Sequence, residues 1–570
     1  AKVKELVDLA LRLEGCSRHT SVHAAGVVIS PKPLHELVPV ALSGKDELTS
    51  QYPMGDLEKV GMLKMDFLGL TTLTVIADCL ASMKEKLGVT IDWAKIPTDD
   101  QKTMELFGEG RTEAIFQFES SGMADMCRRL RPKELEDLSA LNALYRPGPL
   151  DGGMIDDFID RHRGLKPVEY VLPEMEAILG NTFGVLVYQE QIMQLAQRLA
   201  GYSLGQADLM RRAMGKKKIE EMAVHEQTFV DGAVANKIPK KTAKEIFDLM
   251  AKFADYGFNR SHSMAYAVLA FQTAYLKAHY PAYFYASVLS HEAQDSAKVY
   301  KYSTELKSMG LSLLPPDVNE SGDGFTPVED TVRYGLTAIK GMGSSSVAAI
   351  VEARKTGRFT SLFDFCSRMN AGAVNRRGLE SLVAAGAFDS MMPDGEETGS
   401  WRARLHSAIE PALQQGQRMA EDRLRGQSGL FGAVETSSDD VQTLPKATPW
   451  TQAELATREK AAIGFYLSTH PLDNYKELLD GINLKNIADI GDMNSGDMVT
   501  LAGMISGLQI RTSKKGNRFA MFRFEDRSSG MKAVVLGENF NKLSPLLADD
   551  QMFIADGKIE TVWKKEDTLD

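Results

Sequence analysis

The 570-residue chain has no run of eighteen consecutive apolar residues, so no segment reads as a membrane-spanning helix. Its opening stretch AKVKELVDLALRLEG is an amphipathic helix pattern and not a charged start followed by an apolar core and a cleavage site. Membrane insertion and secretion are therefore not indicated, and a cytoplasmic location is expected. Cysteine is scarce: Cys16, Cys79, Cys127 and Cys366 lie far apart, without CxxC or Cys/His ligand spacing. That excludes a disulfide framework and a zinc knuckle. A phosphate loop of the form GxxxxGK[ST] is also missing, which excludes a Walker-type nucleotide enzyme. Positive charge is in deficit overall, with a net charge of −11, an argument against a protein that coats nucleic acid.

Charge is unevenly placed, however. Arg211, Arg212, Lys216, Lys217 and Lys218 form one basic cluster, and Arg511, Lys514, Lys515 and Arg518 form another with no acid among them. Each can be a phosphate contact or an ordinary solvated face. A hydrophobic content of 44% suits several buried cores. The expected class is multidomain, mixed α/β and mainly α.

Through about Leu70 the chain alternates a helix with short apolar runs, AAGVVIS and GMLKMDFLG, which read as buried strands at the edge of an α/β domain. From Thr72 to Leu313 helical periodicity dominates, with stops at RPGPLDGG, KIPKK and HYP. Pro315, Pro316 and SGDGF mark a boundary before the β-like VRYGL and two compact helical units ending near Asp389. The polar stretch GAVETSSDDVQTLPKATP reads as a linker, and Val499 to Trp563 alternates as a small barrel would.

Several segments could carry chemistry. In KMDFLGL, period-two alternation puts Lys64 and Asp66 on one face of a strand. A carboxylate and an ammonium there could hold a divalent cation and a phosphate side by side, or form a plain ion pair at a strand edge. In SRHTSVHAAGVV, Arg18, His19 and His23 lack a third ligand at metalloprotease spacing, so structural or phosphate-facing roles are expected. YSLGQADLMRRAMGKKK places Arg211 and Arg212 where guanidinium forks could hold a triphosphate. FADYGFNRSHSMAYA sets Asn259, Arg260, Ser261 and His262 before an apolar helix, as a cap or as an anion seat. GLTAIKGMGSSSVAAIVEARKTGRF has the helix, Gly-Met-Gly turn and helix of a helix-hairpin-helix. There Gly341 and Gly343, beside Lys340, let backbone amides approach a phosphate. NRRGLESLVAAGAFD reads as a second, degenerate unit. GQSGLFGA carries Leu430 and Phe431 as apolar anchors in a polar segment, either for a partner's pocket or tucked against its own domain. In RTSKKGNRF a basic loop stands beside Phe519 and Phe522, as in a strand-binding barrel, with burial of the rings as the competing explanation.

The ordered series SRHTSVHAAGVVI, KMDFLGL, FQFESSGM, LNALYRPGPLDGGMIDDFIDRHRG, VYQEQIMQLAQRLAGYSLGQADLMRRAMGKKK and FADYGFNRSHSMAYA resembles the C-family bacterial replicative DNA polymerases, the family of DNA polymerase III alpha subunits. The resemblance covers nearly the whole chain. It implies the end of the thumb and the C-terminal part of a nucleotidyltransferase-type palm over 1–71 and helical fingers over 72–314. A tandem helix-hairpin-helix and clamp-binding domain over 315–435, a connector over 436–490 and a truncated oligonucleotide-binding (OB-fold) barrel over 491–570 would follow. By the same resemblance Asp66 is a catalytic, metal-binding carboxylate with Lys64 its phosphate-contacting neighbour, and Arg211, Arg212, Asn259 and His262 bind the incoming nucleotide. Gly341, Gly343, Lys340, Lys514, Lys515 and Arg518 would touch DNA, and Gln427, Leu430 and Phe431 the sliding clamp. The implied cofactor is a pair of Mg²⁺ ions. The implied partners are primer-template DNA, deoxynucleoside triphosphates, the clamp and the other polymerase III holoenzyme subunits.

The family's first two palm carboxylates, a closely spaced pair, have no counterpart in residues 1–65, where Asp46 and Asp56 stand outside that motif. The chain begins without methionine and stops at Asp570, so both ends read as cut, and an internal fragment that does not polymerise DNA alone is expected. The alternative is a non-catalytic module that binds DNA and tethers it to the clamp.

Overall fold

The computed structural model describes residues 2–560 except 17–21, 24, 44–45, 68, 152, 216–218, 255, 370–371, 425–443, 469, 483, 488–489, 491–492, 494, 514–515 and 527–529. Arg18, His19, Lys216, Lys217, Lys218, Gln427, Leu430, Phe431, Lys514 and Lys515 thus lie outside the described residues. The chain divides into two compact units, 1–74 and 75–570. Among the described residues no helix is long and apolar enough to cross a membrane.

In the first unit the helix Lys2–Leu13 precedes a two-stranded antiparallel ribbon of Gly26–Ile29 with Leu63–Asp66, and a hairpin of Val40–Leu42 with Leu48–Ser50. Its core is small, formed by Val38, Leu57 and Met62 with Val28, Leu34 and Val40 against them. The ribbon departs from the buried strands expected: Val27, Ile29, Leu63 and Met65 share one face and remain 42% to 57% exposed. The pleat sends alternate residues to opposite faces, and no described element of this unit covers the apolar one.

The second unit is helical through residue 308. Its spine is the 20-residue helix Arg260–His279, which packs on helix Leu135–Leu144 and buries Ala267, Ala270, Phe271 and Ala274 in one core and Leu276 in the next. Small residues at helical spacing allow that close packing. RPGPLDGG is more than a stop. Helix Leu135–Leu144 ends before it, but Pro147–Asp151 and Met154–His162 are themselves helical. Arg146 holds this turn by donating to Ala143 O at 2.9 Å and to Tyr256 O, its guanidinium 4.5 Å from the Phe258 ring centroid. At HYP, by contrast, one helix ends at His279 and Pro281 opens the next at a position where its missing N–H costs nothing.

Beyond residue 308 come a three-stranded sheet (Leu313–Leu314, Thr326–Val328, Thr331–Arg333) and helices Ser344–Ala353, Leu362–Arg368 and Arg376–Ala384. Helix Thr398–Leu424 follows with Pro411 inside it, and buries Trp401, Leu405, Ala408, Ile409 and Ala412 at helical spacing. The last part of the expected linker is packed structure: Leu444 lies against the core that holds Trp401, its carbonyl accepting from Arg404 Nη2 at 3.5 Å. Just beyond the linker Trp450 N donates to Gly399 O at 3.0 Å, with Arg458 4.3 Å over its ring. A four-stranded antiparallel sheet, with Met498–Thr512 and Arg518–Glu525 at its centre, ends the described chain. Gly507, at φ +63°, sits at the register shift that bends its longest strand. Phe519 and Phe522 are both buried there, which removes them as stacking platforms for bases.

Candidate functional site

Two clusters gather the side chains singled out in the sequence, one in each unit. In the first, the ribbon register sets Gly26 opposite Asp66. Lys64 Nζ lies 3.0 Å from Asp66 Oδ1, the ion pair that alternation predicts. His23 Nδ1 accepts from the amides of Ala25 at 3.1 Å and Gly26 at 2.6 Å, fixing the turn into the strand. A Cβ on Gly26 would stand 2.7 Å from Lys64 Cε, 2.9 Å from His23 Nδ1 and 3.2 Å from Asp66 Oδ1, so three polar side chains converge on a bare stretch of backbone. No group of three or more His, Cys, Asp or Glu side chains suited to a metal occurs among the described residues. Asp66, with 43% of its side chain exposed, fits a hard cation as a single oxygen ligand and no more.

The second cluster belongs to the helical body. Arg211 donates from Nε and Nη2 to Asp208 Oδ1, at 3.1 and 2.8 Å, and Arg212 Nε lies 2.8 Å from Asp208 Oδ2. One carboxylate therefore holds both arginines. The hydrogen bond from Arg211 keeps the Asp208 carboxyl below its ordinary pKa. Arg212 is 62% exposed, and Arg211 is turned inward, its Nη1 3.1 Å from Gln189 Oε1.

Asn259 takes the cap position that the sequence allows, its side chain accepting from His262 N at 2.9 Å. Asn259 Nδ2 donates in turn to Glu190 Oε1 at 2.8 Å, and Arg260 N donates to both Glu190 oxygens at 3.1 and 3.2 Å. The Arg260 guanidinium stands 5.5 Å over the Tyr188 ring. His262 stacks on Tyr266 with ring centroids 4.3 Å apart. The Tyr188 hydroxyl is 3.0 Å from Ser139 Oγ, which is 2.9 Å from Ser263 Oγ; burial raises the phenol above its usual pKa, so it stays protonated.

The structure thus brings Arg211 and the Asn259–His262 turn into one network through Gln189 and Glu190. Both lie in the stretch VYQEQ, and the sequence alone does not single them out. A Gln-Glu pair opening a helix was the available signal, but neither side chain has a partner nearby in sequence.

At the hairpin, Gly341 adopts φ +87°, Met342 is buried, and Gly341 and Gly343 are exposed. Gly343 caps helix Ser344–Ala353 with no side chain covering the amides. The Lys340 amide donates to Ala462 O at 2.9 Å. Of the basic residues that follow, Arg354 turns inward to the carbonyls of Val318 and Ser321, which makes it structural. In the degenerate repeat NRRGLESLVAAGAFD, Asn375 accepts from Gly378 N at 2.8 Å. Arg518, beside the basic loop of the last sheet, lies 5.6 Å over the Phe540 ring.

Comparison with known proteins agrees along the chain. Residues 1–69 match the model of the bacterial DNA polymerase III alpha NTPase domain, 72–237 that of the bacterial DNA polymerase III alpha subunit finger domain, and 310–397 that of a helix-hairpin-helix motif. DNA polymerase III subunit alpha of Thermus aquaticus is 41% identical over 588 residues, covering 100% of this chain and 47% of the relative. The Pasteurella multocida subunit is 41% identical over 572 residues, and that of Escherichia coli K12 39% identical over 578; each covers 98% of this chain and 49% of the relative. The chain spans about half the length of the curated relatives it matches. It belongs to the family of bacterial DNA polymerase III alpha subunits.

Proposed function

We propose that this chain is part of the catalytic subunit of a bacterial replicative DNA polymerase, transferring deoxynucleotides to a primer 3′-hydroxyl under the direction of a template. The observation that carries the reading is the network joining Arg211 to the Asn259–His262 turn, because it sets guanidinium, amide and imidazole groups on one scaffold suited to a triphosphate. In this reading residues 1–71 contribute the edge of a palm and 72–314 the fingers. The curled terminal sheet is part of an OB-type barrel for single-stranded DNA, through Arg518, Lys514 and Lys515.

Asp66 is then one carboxylate of a divalent-ion site, completed by carboxylates in the part of the relatives' length that this chain does not span. Magnesium bound there would supply Lewis-acid activation and charge neutralisation. Lys64, already paired with Asp66, neutralises phosphate charge beside it, while Arg211 and Arg212 release Asp208 in favour of the triphosphate. In a polymerase of full family length carrying this sequence, Asp66→Asn abolishes primer extension and leaves DNA affinity broadly intact. Unchanged turnover would dispose of the assignment. The 570-residue chain alone is expected to incorporate no nucleotide, and primer extension by it would refute that part.

A second reading rests on the open hairpin amides at Gly343: a non-catalytic module that grips DNA through Gly341, Gly343 and Lys340. Its clamp tether, with Gln427, Leu430 and Phe431, lies outside the described residues. Changing Leu430 and Phe431 to Ala should remove clamp binding in a pull-down, and wild-type affinity would eliminate the tether.

A further inference from the structure

We propose that Gln189 is the positioning residue of the triphosphate clamp, fixing the guanidinium of Arg211 against the turn that carries Asn259 and His262; this rests on the nucleotide-binding reading of those residues. Its Oε1 accepts from Arg211 Nη1 at 3.1 Å, and its Nε2 donates to Gly257 O at 3.0 Å. Its backbone amide donates to Phe258 O at 2.9 Å, while Tyr188 and Phe258 form a parallel bridge. One residue therefore binds the arginine with one end of its amide and the turn with the other.

The chemistry selects glutamine. Arginine can only donate and a carbonyl can only accept, so the side chain between them must offer an acceptor at one end and a donor at the other. That requirement also fixes which way the amide points. A glutamate of equal length would face the Gly257 carbonyl with no donor and would neutralise Arg211; a methionine would fill the space and bond to neither. The turn is tightly built around this residue, since a Cβ on Gly257 would stand 3.1 Å from Gln189 Cγ.

Arg211 is held on its other side by Asp208, which leaves Gln189 to set its distance from the turn. Asn259 and His262 follow Gly257 by two and five residues, so a shift of the guanidinium separates the two arms that must meet the same phosphates. Glu190, the next residue, bonds Asn259 and the Arg260 amide, and keeps the turn itself in place when Gln189 is changed.

The test is calorimetric titration of the full 570-residue chain with magnesium deoxyadenosine triphosphate, using Gln189→Met, Gln189→Glu, Arg211→Ala and the double variant Gln189→Met/Arg211→Ala, with thermal unfolding alongside. Losing one such hydrogen bond predicts about five-fold weaker binding for Gln189→Met. Gln189→Glu should weaken binding at least as much, and the double variant should bind no more weakly than Arg211→Ala. A purely structural role would make the two losses add. Wild-type affinity in Gln189→Met or Gln189→Glu, or additive losses in the double variant, would overturn the positioning role while leaving the clamp intact. Wild-type affinity in Arg211→Ala would overturn the clamp itself and the inference with it. If Gln189→Met unfolds early, Gln189→Glu decides by the same criteria.

Discussion

Lys64 Nζ stands 3.0 Å from Asp66 Oδ1, across the ribbon from Gly26, whose missing side chain leaves room for both. Gly26→Ala would put a methyl 2.7 Å from Lys64 Cε and 2.9 Å from His23 Nδ1, so the lysine must swing off the carboxylate. We expect at least a ten-fold loss of primer extension, or about 1.4 kcal/mol of barrier, in a full-length polymerase with this substitution. Thermal stability should change little, since Lys64 can give way at the far end of a flexible, half-buried side chain. Activity equal to wild type would show that the ion pair has no part in turnover.

Lys277 makes a different kind of prediction. Its side chain is 0% exposed, and its ammonium donates to Arg111 O at 2.7 Å, Glu113 O at 2.9 Å and Glu305 Oε1 at 2.9 Å. All three donors are satisfied, so the buried charge is tolerated; its removal strands two carbonyls and a carboxylate. Lys277→Met should cost about 3–5 kcal/mol, measured by denaturant unfolding. A loss below about 1 kcal/mol would mean that the site relaxes or admits water.

Thiol chemistry offers an independent check on the packing. Cys16 is exposed, whereas Cys79, Cys127 and Cys366 are buried. Burial pushes the Cys79 and Cys366 thiols up to about 12, and the Cys127 thiol higher still. At pH 8 the native chain should therefore give one fast-reacting thiol with Ellman's reagent, and four after unfolding. Two or more fast thiols in the native state would contradict the packing of helices Thr71–Leu87, Ser121–Leu130 or Leu362–Arg368.

What the sequence disclosed was what local geometry dictates. Period-two alternation brought Lys64 and Asp66 together, Asn259 stood where a cap belongs, and the Gly-Met-Gly spacing marked a turn ahead of a helix. Contacts between distant segments were not legible. Gln189 meets Arg211 22 residues on and Gly257 68 residues on, and neither spacing leaves a periodic trace. Helix Pro147–Asp151 was hidden for the same reason, since it depends on Arg146 reaching Tyr256 O, 110 residues away. The ribbon failed differently: an apolar strand promises burial, yet whether another element covers its face is a tertiary matter, and Val27 and Leu63 stay exposed.

At the hairpin, Gly341 holds φ +87°, a region costly to residues with a Cβ, and Gly343 leaves the helix amides uncovered. If these amides and Lys340 meet DNA phosphate, Gly341→Val should weaken duplex binding several-fold regardless of sequence. Lys340→Ala should lower the slope of log affinity against log salt by about one. Fluorescence anisotropy over a salt series measures both, and an unchanged slope in Lys340→Ala would remove that lysine from the interface.

Asp208 supplies the pH test. Its carboxyl is held low by the hydrogen bond from Arg211, with Arg212 adding to the effect, so the folded-state pKa lies below that of the unfolded chain. Such a group adds stability that is fully present above the unfolded value, about 3.9, and is lost as pH falls through the lower folded value. The stability difference between wild type and Asp208→Asn should accordingly be constant above about pH 5 and shrink below about pH 4. Near neutral pH the carboxylate competes with phosphate for both guanidiniums, and Asp208→Asn keeps an acceptor while removing that competition. Triphosphate affinity in this variant should therefore equal or exceed wild type, and marked weakening would mean that Asp208 orients the arginines more than it occupies them.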